Sequence, residues 1–209
     1  MRLDDALKAM PVVAILRGVQ PDEAVAVADV LIGAGIAAIE VPLNSPAPIA
    51  SIERLVAACG GRAAIGAGTV LTPRDVAAVA AAGCNYVVAP DIRTSVVRAA
   101  LALGLDAVPG IATPTEALCA VRAGARHLKL FPASVIGSGF VGALAAVLPP
   151  GVAIVAVGGI TAANAQTWLA AGVAAIGTGS ALYRPGRPLA QLGADAAALV
   201  RELAPVLRR

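Results

Sequence analysis

Short, continuously apolar runs alternate along this chain with longer alanine-rich stretches of helical character. The runs cover residues 12–16, 37–41, 64–67, 86–89, 106–108, 127–131, 153–157 and 174–177. Most are too short for helices, and several are rich in β-branched residues, which predicts eight buried strands. Their apolar character is continuous rather than alternating, as expected of a parallel sheet covered by helices. The intervening stretches carry helix start signals, Thr72-Pro73-Arg74-Asp75 and Thr113-Pro114-Thr115-Glu116, in which a hydroxyl can cap the first turn and an acid can cap it in return. Before the next strand an Ala-Gly or similar pair recurs, at Ala34-Gly35, Ala82-Gly83, Leu103-Gly104, Ala123-Gly124 and Ala171-Gly172. Each stands where a helix needs a left-handed C-cap. Eight strand-helix units with no linker predict an α/β fold, a single (β/α)8 TIM barrel over residues 1–209, in preference to an open doubly wound sheet.

Composition narrows the function classes. With 58% hydrophobic and 14% charged residues the chain is globular. Its net charge of +3 comes from scattered arginines, with few aromatics to stack on bases, so no nucleic-acid partner is expected. Cys59, Cys84 and Cys119 are widely spaced and accompanied by one histidine, which suggests neither disulfides nor a zinc site. They read as core residues of a reduced, cytoplasmic protein. Mean hydropathy is +0.83, and no charged side chain occurs from Leu130 to Tyr183. Pro132, Gly137, Gly139, Pro149-Pro150-Gly151 and Gly158-Gly159 interrupt that stretch, so no membrane partner is expected. The first residues, MRLDDALKAMP, put two aspartates where a secretion signal would be cationic and then apolar.

If the fold is a barrel, polar residues at the C-terminal strand ends form the active site. Sorted in that way, the ends present Arg17, Glu40, Gly66-Ala67-Gly68-Thr69, Pro90, Pro109-Gly110, Lys129 with Phe131, Val157-Gly158-Gly159, and Gly177-Thr178-Gly179-Ser180. The charged groups converging there are Arg17, Glu40 and Lys129, with Asp91 and Arg93 near the rim. Lys129 stands out because Lys8 is the chain's only other lysine, against fourteen arginines. Glu40 and Lys129 could simply be a buried ion pair, and Arg17 a surface partner of Asp22 or Glu23. The glycine turns could be plain connections, although glycines ahead of Thr161-Ala162-Ala163-Asn164 and beside Ser180 also describe amides open to a phosphate. An amine in a low-dielectric barrel beside cationic Arg17 loses its proton more easily and becomes nucleophilic towards a carbonyl. A neighbouring carboxylate can shuttle protons. No metal ligand set and no cofactor motif accompany these groups, so imine chemistry on a small phosphorylated keto acid is the reading, with neither metal nor cofactor expected.

At these residues the chain resembles the class I pyruvate-dependent aldolases that cleave 2-keto-3-deoxy-6-phospho sugar acids. The matching features are Ile15-Leu16-Arg17-Gly18, Ile39-Glu40-Val41, Ile65-Gly66-Ala67-Gly68-Thr69-Val70-Leu71, Pro109-Gly110 with Thr113-Pro114-Thr115-Glu116, Lys129-Leu130-Phe131-Pro132 and Val157-Gly158-Gly159-Ile160. They run in order over nearly the whole chain. Glu40-Val41-Pro42-Leu43-Asn44-Ser45-Pro46 and Ala156-Val157-Gly158-Gly159 look like the galactonate branch; the gluconate branch usually has Glu-Val-Thr-Leu-Arg and Thr-Gly-Gly there. The resemblance implies that Lys129 forms the Schiff base and that Glu40 is the general acid/base. Arg17 and Thr69 would hold the substrate carboxylate, and Gly158, Gly159, Gly179 and Ser180 the phosphate. Pro90, Phe131 and Val157 complete the expected substrate-binding set. The gluconate-branch arginine is Asn44 here, which makes Arg17 the substitute clamp. The family also implies pyruvate and glyceraldehyde 3-phosphate as products and a homotrimer as the assembly. The competing readings are another phosphate-binding barrel of epimerase or thiamine phosphate synthase type, and a non-catalytic metabolite sensor.

Overall fold

The computed structural model describes the backbone of residues 1–207 and the side chains of residues 1–204. After α1 (Leu3–Ala9), strands and helices alternate: β1 (Val12–Ile15), α2 (Ala24–Gly33), β2 (Ala38–Pro42), α3 (Pro48–Cys59), β3 (Ala64–Gly68), α4 (Pro73–Ala81), β4 (Tyr86–Val88) and α5 (Thr94–Ala102). The second half holds β5 (Asp106–Val108), β6 (Gly110–Ile111), α6 (Pro114–Arg122), β7 (His127–Leu130), α7 (Ala133–Ile136), α8 (Gly139–Ala145), β8 (Ala153–Val157), α9 (Ala162–Ala170), β9 (Ala175–Thr178) and α10 (Leu189–Leu207). Every pairing is parallel, in the order β5-β4-β3-β2-β1-β9-β8-β7-β6. The terminal strands of that order, β5 and β6, are two halves of one stave interrupted at Pro109. β5 pairs with β4, and β6 with β7. Eight staves thus close a barrel from nine segments. The break follows from proline, which lacks a ladder amide; its carbonyl still accepts the Lys129 N–H at 2.8 Å.

Helix boundaries follow their local chemistry. Thr72 accepts from the Asp75 amide at 3.1 Å and Asp75 Oδ2 accepts from the Thr72 amide at 2.9 Å, a reciprocal cap on α4. On α6 the Thr113 hydroxyl accepts from the Glu116 amide at 3.3 Å, and Glu116 Oε2 accepts from the Ala112 amide at 2.8 Å. All five predicted C-terminal glycines are left-handed, with φ between +73° at Gly104 and +103° at Gly124. The sequence gives no separate signal for α1 or for the interruption of the sixth helical region, which Gly137 splits into α7 and α8 with φ +89°.

Two apolar layers result. Alternate strand residues facing outward, such as Val12, Ile39, Ile65, Leu128 and Ile176, pack against the helices. Those facing inward, including Val13, Ala38, Ala64, Tyr86, Val108 and Val155, fill the barrel. Leu3 and Ala6 of α1 join the inner layer and floor it. His127, buried at the start of β7, bonds to Asp4 of that helix at 2.8 Å. Among the described residues no helix is long and apolar enough to cross a membrane.

Candidate active site

Parallel strands put the chemistry at one end. The register aligns Ile15, Glu40, Gly66, Tyr86 and Asp106 across neighbouring staves, and Lys129 with Gly110 and Val155. Glu40 and Lys129 point inward and are only 2% and 6% exposed. The Glu40 carboxylate leans over Gly68, where any Cβ would overlap Oε1, so a glycine is required at that position. Neither group belongs to an ion pair within 4.0 Å among the described residues, so the simple buried salt bridge is not formed. Instead the Lys129 ammonium lies 4.8 Å from the centroid of the Phe131 ring.

Burial moves both groups towards neutrality. The Glu40 carboxyl is raised above the ordinary carboxylate range by desolvation, with Lys129 and then Arg17 opposing the shift. Lys129 is lowered, chiefly by desolvation; Glu40 opposes this and Arg17 adds to it. An amine whose hold on its proton is weakened, beside a carboxyl whose hold is strengthened, is a nucleophile next to an acid/base, which is what imine formation requires.

Above the pair, a cleft of about 330 Å³ opens between the ends of β8, β9 and β1. That volume suits a small ligand. It brings together Arg17, Phe131, Val157, Gly158, Gly159, Gly179 and Ser180 of the expected set. Gly158 and Gly159 are both left-handed, with φ +104° and +74°, and turn the chain from β8 into the start of α9. The Thr161 amide donates to Asn164 Oδ1 at 2.9 Å, and Asn164 Nδ2 to the Gly159 carbonyl at 2.9 Å, fixing that turn. Amides at such a turn, together with the α9 N-terminus, favour an anion.

Lys129, Glu40, Thr69 and Pro90 are not among the residues that line that cleft; Lys129 and Glu40 line a small cavity in the barrel interior instead. Thr69 follows β3 with φ +56°, rare for a threonine, and Pro90 lies against Gly110, where an added Cβ would overlap the Pro90 backbone. Arg17 bonds neither Asp22 nor Glu23; its Nη1 donates to Asn44 Oδ1 at 2.6 Å. Glu23 is taken by the Tyr183 hydroxyl at 2.7 Å. Asn44, which stands where the gluconate branch has its arginine, therefore supports Arg17, the residue expected to take over that arginine's role. Arg184, which the sequence reading did not single out, lines the cleft, with Nε donating to the Ser180 carbonyl at 2.8 Å. The one sequence signal for it is a lone arginine four residues after Ser180.

Residues 3–188 match the family described as KDPG and KHG aldolase. The chain is 48% identical to 2-dehydro-3-deoxy-6-phosphogalactonate aldolase of Escherichia coli (strain K12) over 92% of its own length and 94% of that protein's. It is 32% identical to the KHG/KDPG aldolase of the same organism, over 80% of this chain and 78% of the other. A solved structure described as native KDPGal superimposes with a TM-score of 0.93 at 46% identity, covering 96% of this chain and 97% of that one.

Proposed function

We propose that this chain, which belongs to the KDPG and KHG aldolase family, is a class I aldolase that cleaves 2-dehydro-3-deoxy-6-phosphogalactonate to pyruvate and glyceraldehyde 3-phosphate. The observation that carries the reading is Lys129: an amine 6% exposed near the end of a barrel strand, without an ion-pair partner among the described residues and with its proton weakened by burial. Neutral Lys129 attacks the C2 ketone, and loss of water gives a protonated imine. The imine withdraws electrons from C3. Glu40 takes the C4 hydroxyl proton, directly or through water, and the C3–C4 bond breaks to release the aldehyde. The enamine is then protonated at C3 and the imine hydrolysed, freeing pyruvate and the amine.

In this reading Arg17, braced by Asn44, and Thr69 hold the substrate carboxylate. Gly158, Gly159, Gly179 and Ser180 hold the phosphate, and Pro90, Phe131 and Val157 shape the space between. The galactonate branch is favoured by the 48% identity to the phosphogalactonate enzyme against 32% to the KHG/KDPG enzyme. Val157 in place of a threonine supports it. The protein acts as a cytoplasmic homotrimer, an assembly that follows from its family resemblance and that sedimentation of the pure protein tests directly.

Borohydride reduction of enzyme with pyruvate tests the chemistry. A stable three-carbon adduct on Lys129 is expected, and its complete absence would exclude an imine. Comparing kcat/KM for the phosphogalactonate and phosphogluconate substrates tests the branch, with the former preferred.

A further inference from the structure

The cleft at the barrel mouth is charged at two places and neutral everywhere else. Of the residues that line it, Arg17 and Arg184 carry charge, and none is acidic. The groups expected to hold phosphate, Gly158, Gly159, Gly179 and Ser180, offer amides and one hydroxyl but no cation. A substrate with a carboxylate at one end and a phosphate at the other brings about three negative charges at neutral pH. Arg17, bonded to Asn44 after β2, meets the carboxylate in the proposed reaction. The phosphate is left to Arg184.

Arg184 is exposed, yet the chain around it is pinned. Its Nε donates to the Ser180 carbonyl at 2.8 Å, which ties the guanidinium to a residue of the phosphate set and leaves both Nη groups without a partner among the described residues. Ahead of it, Tyr183 is 3% exposed and its hydroxyl donates to Glu23 at 2.7 Å. Behind it, Pro185 packs on Gly18, where an added Cβ would stand 2.8 Å from Pro185 Cγ. Proline also biases the residue before it towards extended backbone. The neighbouring Arg187 is engaged elsewhere, with Asp195 at 3.0 Å and the Ala181 carbonyl at 3.1 Å. Between Lys129 and Arg184 the chain has no charged side chain, so β8 and β9, which carry the glycine turns, supply no other cation. A planar guanidinium with two unpaired Nη groups is shaped for the oxygens of a phosphate.

We propose that Arg184 is a specificity-determining residue: its guanidinium binds the substrate's phosphate beside the glycine turns and makes the protein prefer the phosphorylated sugar acid over the same acid without phosphate. The inference rests on the aldolase reading. Amides of the turns donate to phosphate oxygens but leave the dianion's charge uncompensated, and the guanidinium adds charge-assisted hydrogen bonds that are stronger than neutral ones. The contact lies at the water-exposed mouth, so salt weakens it. It is remote from the C3–C4 bond and is made equally in the ground and transition states. It therefore lowers KM and leaves kcat alone.

The test compares wild type with Arg184→Gln and Arg184→Lys, which both lose the Nε bond to Ser180 but differ in charge. In Arg184→Gln, KM for the phosphorylated substrate should rise about tenfold with kcat within about twofold, and the kcat/KM ratio of phosphorylated to unphosphorylated acid should fall about tenfold. Arg184→Lys keeps the charge and should stay within about threefold of wild type. A lysine variant as impaired as the glutamine variant would assign the effect to the lost Ser180 bond and overturn the proposal, as would an unchanged KM or an unchanged ratio in Arg184→Gln. Wild-type KM should climb with salt more steeply than that of Arg184→Gln, and parallel salt curves would refute the charge contact. Calorimetric titration with inorganic phosphate separates this from the chemistry: binding about tenfold weaker in Arg184→Gln supports the proposal and equal binding refutes it, whether or not the protein cleaves. A wild type that forms no borohydride adduct with pyruvate would overturn the aldolase reading instead.

Discussion

Desolvation drives a carboxyl and an amine in opposite directions along the pH axis, and at positions 40 and 129 the two shifts meet. Each residue therefore has its own expected mutant behaviour. Lys129→Ala removes the imine and should abolish cleavage. Glu40→Gln should still trap pyruvate on Lys129 but turn over about 10²- to 10⁴-fold more slowly. Mass spectrometry after borohydride, alongside steady-state kinetics, separates the two, and near-normal turnover in Lys129→Ala would remove the mechanism. Val157 borders both the cleft and the small cavity below it, and the proposed reaction sets it beside C4 of the substrate. The galactonate and gluconate substrates differ in configuration at that carbon. Val157→Thr adds a hydroxyl at nearly constant volume and should raise relative kcat/KM for the phosphogluconate epimer several-fold, up to about tenfold. An unchanged ratio would place C4 discrimination elsewhere. The inward placement of Lys129 and Glu40 at the barrel's C-terminal end was legible in the sequence because strand ends in a barrel are predictable. The Arg17–Asn44 bond and Arg184 were not, since each depends on how side chains from separate loops or staves meet.

At the scale of elements, the caps could be read because they involve neighbours in sequence: Thr72 with Asp75, Thr113 with Glu116, and the glycines that end five helices. The division of the fifth stave at Pro109 and the placement of α1 could not, because both are settled by pairing and packing with distant parts of the chain. The turn from β8 into α9 offers the sharpest test. Gly159 has φ +74°, and a Cβ there would stand 2.6 Å from the Ser134 Cβ. Gly159→Ala must shift either the turn or Ser134, at a strain of about 1–3 kcal/mol. The expected result is a KM for the phosphorylated substrate raised about tenfold, with trapping of pyruvate on Lys129 unchanged. An unaltered KM would mean that the phosphate is bound away from this turn.

For the whole molecule, the same two buried groups set how stability responds to pH. Glu40 is raised above its unfolded value of 4.5, so just above that pH the folded state holds more protons and stability falls as pH rises to the folded value. Lys129 is lowered below 10.5, so from its folded value upward the unfolded state holds more protons and stability recovers towards 10.5. Urea unfolding across that range should therefore show wild type losing ground to Glu40→Gln as pH climbs from 4.5, and Lys129→Met lacking the alkaline recovery. Parallel curves for all three proteins would contradict the buried-pair electrostatics. The barrel itself was legible from periodicity, since eight apolar runs with capped helices between them leave few other arrangements. Its sealed end was not. Because α1 stoppers the barrel behind Lys129 and Glu40, the interior is a blind well with one entrance, and traffic through it must queue. In the proposed reaction the aldehyde fragment, anchored by its phosphate at the rim, departs first, and the keto acid bound to the deep lysine departs last. Pyruvate should accordingly inhibit as a competitor of the intact substrate, while the aldehyde phosphate should give a mixed pattern.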